Sequence, residues 1–278
     1  MLLLLVLLGA LATGAACGGD GEGAGGSVRV VAGFYPLAFA AAEIGGSGVE
    51  VENVTPPGAE PHDLELSLQD VQRIQSADVV LYLGNGFQPT VEDAARGSAR
   101  PVDLLEGLEL REGGDPHVWL YPLRYAQIAE RLGRILEAGD AAAAFAARLE
   151  ELDRELRDGL ADCERRTIVT SHEAFGYLAE RYGLAQVGVT GLEPEAEPAP
   201  QDLERIVDVV RETGATTVFV ETLVSPELAE TVAREAGAAV ATLDPLEGLS
   251  DSDLEAGEDY FSVMHENLAV LREALGCR

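Results

Sequence analysis

The run Asp78-Val79-Val80-Leu81-Tyr82-Leu83 is apolar at every position after the first. A strand with one wet face alternates polar and apolar residues, and this one does not. It is therefore predicted to be covered on both faces, as in a parallel sheet between helix layers. Working outward, β-type runs fall at 28–32, 49–54 and 100–104, with helical patterns at 36–44, 67–76 and 89–96 between them. The second half repeats the rhythm, with strands at 167–170, 185–189, 216–220 and 239–243 and helices at 174–182, 201–213, 226–236 and 257–275. Strands alternating with helices predict an α/β protein of two lobes, each a mainly parallel sheet with flanking helices.

Between the halves, residues 123–160 are rich in Ala, Glu, Arg and Leu and broken only at Gly139-Asp140. Asp140 is placed to cap a helix over 141–160, about 30 Å of stiff connector. The chain then divides into a first lobe at 28–122, a connector with its long rigid helix at 123–162, and a second lobe at 163–278. The acidic, proline-spaced stretch Glu193-Pro194-Glu195-Ala196-Glu197-Pro198 is the longest loop signal.

The formal net charge is -30, and all 19 basic residues are arginine. Such a surface repels nucleic acid and anionic lipid and draws in cations. Screening confines that pull to about 8–10 Å, so charge alone specifies no site. Residues 1–16 form an apolar run ending at Cys17 and a glycine-rich stretch, 18–27. The run is short for a membrane span and fits an export signal at 1–17. A cysteine followed by a glycine-rich tether resembles a bacterial lipobox, which predicts a lipidated Cys17. Gly14 stands where that pattern prefers a larger residue, and no positive charge precedes Arg29. In an oxidising compartment the remaining pair, Cys163 and Cys277, is expected to form a disulfide. Closing a loop of about 114 residues adds on the order of 4 kcal/mol by chain entropy.

Only four histidines occur, and three follow predicted strands: His62, His117 and His172. Imidazole is largely neutral near pH 7 and offers a lone pair to a metal. Open α/β sheets bind ligands at the carboxyl ends of their strands, so two facing lobes could bring all three into one cleft. A tetrahedral site needs a fourth ligand, for which Asp244 at the end of the last strand is the first candidate. Glu60 and Glu221 are alternatives. Asp63 and Glu173, each beside a histidine, are candidates for orienting an imidazole. His265 lies in a helical stretch and is read as a surface or packing residue.

The phrases around these residues resemble those of the metal-binding solute receptors of bacterial ABC transporters, zinc/manganese group. They are Gly58-Ala59-Glu60-Pro61-His62-Asp63, Asp115-Pro116-His117-Val118-Trp119-Leu120, Thr170-Ser171-His172-Glu173-Ala174-Phe175, Pro194-Glu195-Ala196-Glu197-Pro198 and Leu243-Asp244-Pro245-Leu246. They occur in family order from about Val28 to Leu275. The resemblance implies two α/β lobes around a rigid helix, with His62, His117, His172 and Asp244 as metal ligands. In this family a histidine at the third position goes with Zn2+ and a glutamate with Mn2+, so His172 favours zinc and leaves manganese as the alternative.

Three departures are visible. No histidine-rich loop precedes Asp115, Tyr121 replaces a common aspartate, and Glu247 stands where glycine is usual, adding a carboxylate near the site. The expected protein is an exported monomer without enzymatic activity. It sits on the outer face of the plasma membrane or in the periplasm and hands its ion to an ABC permease. A zinc hydrolase, with three histidines and a metal-bound water, is the rival from another class; a manganese receptor or adhesin is the rival within the fold.

Overall fold

The computed structural model describes residues 27–278. The expected export signal, Cys17 and nearly all of the glycine-rich tether lie outside them. No helix of the described residues is long and apolar enough to cross a membrane.

The first sheet consists of β1 (Val28–Ala32), β2 (Val49–Asn53), β3 (Val79–Tyr82) and β4 (Pro101–Asp103), all parallel, in the order β2-β1-β3-β4. The second consists of β5 (Thr167–Thr170), β6 (Ala185–Gly188), β7 (Thr217–Val220) and β8 (Ala239–Thr242), also parallel, in the matching order β6-β5-β7-β8. β3 explains its own composition. Val79 and Leu81 face one apolar layer, Val80 faces another, and all three are buried. β5 and β7 are split likewise, with Ile168 and Phe219 on one side and Val169 and Val218 on the other.

The inner layers of the two lobes are one continuous core. Val30 and Leu81 of the first sheet share it with Ile168 and Phe219 of the second, and with the apolar stripe of the connector helix. That connector is a pair of helices, α4 (Pro122–Ile135) and α5 (Gly139–Gly159), numbered after α1 (Tyr35–Gly45), α2 (Leu68–Ser76) and α3 (Pro89–Ala95). Phe145, Leu149, Leu152 and Leu156, spaced at helical period on α5, are all buried in it. α4 and α5 approach so closely at Gly133 that a Cβ there would sit 2.4 Å from Ala142 Cβ.

α6 (Gly176–Tyr182), α7 (Pro200–Thr213), α8 (Glu227–Ala236), α9 (Asp251–Ala256) and α10 (Tyr260–Leu275) complete the second lobe. Two local expectations are corrected. α5 starts at Gly139 with Ala138 as its N-cap, so Asp140 is no cap and lies in the first turn, where its charge complements the helix dipole. The helix expected at 257–275 begins only at Tyr260, because Gly257 at φ +83° ends a separate short helix, α9, and Asp259 caps α10 through the backbone N–H groups of Phe261 and Ser262.

Cys163 and Cys277 are disulfide-bonded across a sequence separation of 114 residues. The bond ties the end of α10 to the segment between α5 and β5. Cys277→Ser is expected to cost about 4 kcal/mol, lowering the thermal midpoint by about 10 °C for a domain of this size. Calorimetry showing a shift under about 2 °C would deny the bond that stabilising role.

Candidate metal centre

Four side chains from four segments meet between the sheets. His62 comes from the loop after β2, His117 from the loop after β4, His172 from the end of β5, and Glu247 from the loop after β8. Each offers one ligand atom, and these atoms lie within 4.8 Å of one another. All four residues are buried, His117 and His172 fully.

The lobes are stitched together around the centre. The Gly58 N–H donates to Leu249 O at 3.0 Å, and Trp119 Nε1 donates to Pro245 O at 2.8 Å. His62 packs edge-on to Phe87 with ring centroids 4.6 Å apart. Trp119, the only tryptophan, lies 5.2 Å from the His117 ring.

Two imidazoles have their tautomers set from behind. Asp115 Oδ1 accepts from both Nδ1 (2.8 Å) and the backbone N–H (2.9 Å) of His117. Glu221 does the same for His172, with Oε2 accepting from Nδ1 at 2.7 Å and Oε1 from the N–H at 3.0 Å. With a proton held on Nδ1, it is Nε2 that faces inward and offers its lone pair once its own proton is displaced, which is how carboxylates prepare histidines for a metal. The orienting groups are thus Asp115 and Glu221. Asp63 and Glu173, singled out for adjacency, are both exposed. Residues next to a histidine in sequence point away from its ring, whereas Asp115 turns back two residues and Glu221 arrives from the neighbouring strand.

Four of the six inward separations are close to those of a tetrahedron. Glu247 Oε1 lies 3.1 Å from His117 Nε2, 3.3 Å from His172 Nε2 and 3.4 Å from His62 Nε2, and the His117 and His172 Nε2 atoms are 3.3 Å apart. Zinc–ligand bonds of about 2.0–2.1 Å in a tetrahedron separate ligands by about 3.3–3.4 Å. The donor set therefore fits a small divalent cation at the common centre.

Asp244 does not join this group. Its Oδ1 accepts from the Leu246 N–H at 2.6 Å and its Oδ2 from Thr222 Oγ1 at 3.2 Å. Asn267 of α10 clamps the Asp244 backbone from both sides, accepting from its N–H (2.9 Å) and donating to its C=O (2.7 Å). Asp244 thereby shapes a turn in which Leu246 adopts φ +57°, and the turn swings Glu247 inward. The sequence signal was present as the carboxylate where the resemblance led one to expect glycine, but strand-end position favoured Asp244. Glu60 lies beside the site and caps His62, its Oε1 accepting from the His62 N–H at 2.9 Å. His265 sits apart on α10, paired with Glu155 on the surface.

Electrostatics follow from this crowding. Burial pulls the His117 pKa down, but the Asp115 and Glu247 carboxylates override it and the net direction is up. For His172 burial is likewise overcome, by Glu247 and Glu221, and the pKa lies well above the usual histidine range. Burial opposes ionisation of Glu247, yet the three imidazoles hold it well below the usual carboxylate range. Burial, with the Glu247 charge behind it, pushes Glu60 up to about 8.

The family described as "ZnuA: Zinc-uptake complex component A periplasmic" matches residues 30–274. The zinc-binding protein AdcA of Streptococcus pyogenes serotype M6 is 33% identical over 288 residues, which cover 89% of this chain and 56% of AdcA. The chain thus spans little more than half of that relative. Among solved structures, the laminin-binding protein Lmb of Streptococcus agalactiae, described as having adhesin and metal-transporting activity, superposes with a TM-score of 0.81. It is 32% identical, with 90% of this chain and 100% of Lmb covered. The Zn(II)-bound ZnuA-like domain of Streptococcus pneumoniae AdcA gives a TM-score of 0.77 at 34% identity, covering 90% of this chain and 99% of that domain.

Proposed function

The chain belongs to the ZnuA family of zinc-uptake components, and on that premise we propose that it captures Zn2+ between its lobes and delivers it to an ABC-type permease. The observation that carries this reading is the convergence of three histidine Nε2 atoms on Glu247 Oε1 at 3.1–3.4 Å. His62, His117, His172 and Glu247 are the proposed ligands. Three nitrogens and one oxygen suit zinc, while manganese prefers oxygen-rich sites. Four protein ligands leave no open position for a metal-bound water, which supports a carrier over a hydrolase. The ion is cargo, and the useful chemistry is tight capture followed by release.

The site is assembled so that capture does not require wide hinge motion. Because both lobes share one core with α5, opening them broadly would expose much of that layer. A small tilt or a loop movement is the cheaper route. In the cell we place the protein outside the plasma membrane, held by a lipidated Cys17 and working as a monomer beside its permease.

Titration of metal-free protein with Zn2+ and Mn2+, followed through Trp119 fluorescence, tests the reading. Zinc is expected to bind at least a hundredfold more tightly, and equal or tighter manganese binding would overturn it. His172→Glu exchanges a nitrogen for a hard oxygen and should shrink the zinc-to-manganese ratio by about tenfold or more. An unchanged ratio in that variant would remove His172 from the ligand set.

A further inference from the structure

The three imidazoles are not held alike. Buried carboxylates grip Nδ1 of His117 and His172 at 2.8 and 2.7 Å. His62 Nδ1 is as deeply buried, its side chain only 2% exposed, yet it has no hydrogen-bond partner among the described residues. The carboxylate that faces it is Glu193, whose Oε2 lies 3.6 Å away and whose side chain is 66% exposed. That distance is just beyond a hydrogen bond.

Glu193 belongs to the opposite lobe and begins the proline-spaced acidic loop. The loop is pinned beside His172, because the Thr190 N–H donates to Ser171 O at 2.8 Å and the Glu173 N–H donates to Gly191 O at 2.8 Å. The Glu193 backbone is therefore fixed to the segment that carries one ligand, while its side chain addresses another ligand across the cleft. A shift of a few tenths of an ångström would turn the 3.6 Å approach into a charge-assisted hydrogen bond.

Resting on the zinc-receptor reading, we propose that Glu193 is a positioning residue that latches His62 from the opposite lobe and sets how long the ion is retained. When a cation draws the His62 Nε2 lone pair inward, Nδ1 carries the proton and becomes a stronger donor. Glu193 accepts it, giving His62 the carboxylate partner that its two companions already have. This partner alone is solvent-exposed and belongs to the other lobe, so lobe or loop displacement unlatches His62 first. His62 is then the ligand that lets go.

The test compares wild type with Glu193→Ala, Glu193→Gln and Glu195→Ala, all zinc-loaded, by release to excess chelator and by NMR of histidine Nδ1–H protons. Removing a partner of a metal-bound histidine weakens binding about 10–100-fold. Glu193→Ala should therefore release zinc at least tenfold faster and lose one of three slowly exchanging Nδ1–H signals. Glu193→Gln, whose amide oxygen still accepts, should restore the signal and most of the retention, and Glu195→Ala should match wild type. Unchanged release in Glu193→Ala, or equal acceleration in Glu195→Ala, overturns the latch. Failure of wild type itself to retain zinc would instead sink the receptor reading, and the latch with it.

Discussion

Glu247→Ala is expected to abolish tight zinc binding, weakening it by at least a hundredfold, whereas Asp244→Ala should weaken it by no more than about tenfold. Glu247 Oε1 is the atom on which all three Nε2 groups converge. Its loss removes one of four ligands and the charge that balances the cation. Loss of a group merely adjacent to a ligand already costs 10–100-fold in such sites, and loss of the ligand itself exceeds that. Asp244 works at one remove, through the Leu246 N–H and Thr222. Its removal should cost about 1–2 kcal/mol of stability and leave Glu247 able to reach the ion, since Asn267 still clamps the turn. Calorimetric titration of both variants decides the matter, and an Asp244→Ala loss as large as that of Glu247→Ala would return the ligand role to Asp244.

The second large effect is a dependence of affinity on pH. The pKa values of His117 and His172 are raised in the metal-free protein, so both hold protons that the ion must displace. Below those pKa values, apparent zinc affinity should fall by up to about a hundredfold per pH unit, tenfold for each proton released. Glu247, held well below the usual range, stays ionised and adds nothing to the slope. Stability of the metal-free protein runs the other way. A histidine pKa raised on folding contributes stability that is full below about 6.5 and is lost as pH rises through the folded value. Zinc should therefore raise the melting temperature more at pH 7.5 than at pH 5.5. An affinity flat between those values would mean that neither imidazole is protonated before binding.

The fold was legible because its local signals agreed. β3 has no polar face since Val80 packs outward while Val79 and Leu81 pack inward. The three histidines stood out by their scarcity and by their places after strands. Other features depended on contacts that no linear reading contains. Glu221 reaches His172 across 49 positions of sequence, and the pairing of β5 with β7 brings them together. Asp115 reaches His117 because the backbone turns within two residues, a detail of loop geometry with no periodicity to betray it. The choice between Asp244 and Glu247 depended on a left-handed residue at Leu246. Leucine does not advertise positive φ, so the turn that delivers Glu247 was hidden.

The central claim is that a zinc ion sits among His62, His117, His172 and Glu247. Anomalous diffraction at the zinc absorption edge, from crystals of protein purified without added metal and loaded with one equivalent of zinc, tests it most directly. The predicted result is a single peak about 2.0–2.1 Å from the three Nε2 atoms and a Glu247 carboxylate oxygen. A peak bound by Asp244 in place of Glu247, or no peak between the lobes, would contradict it.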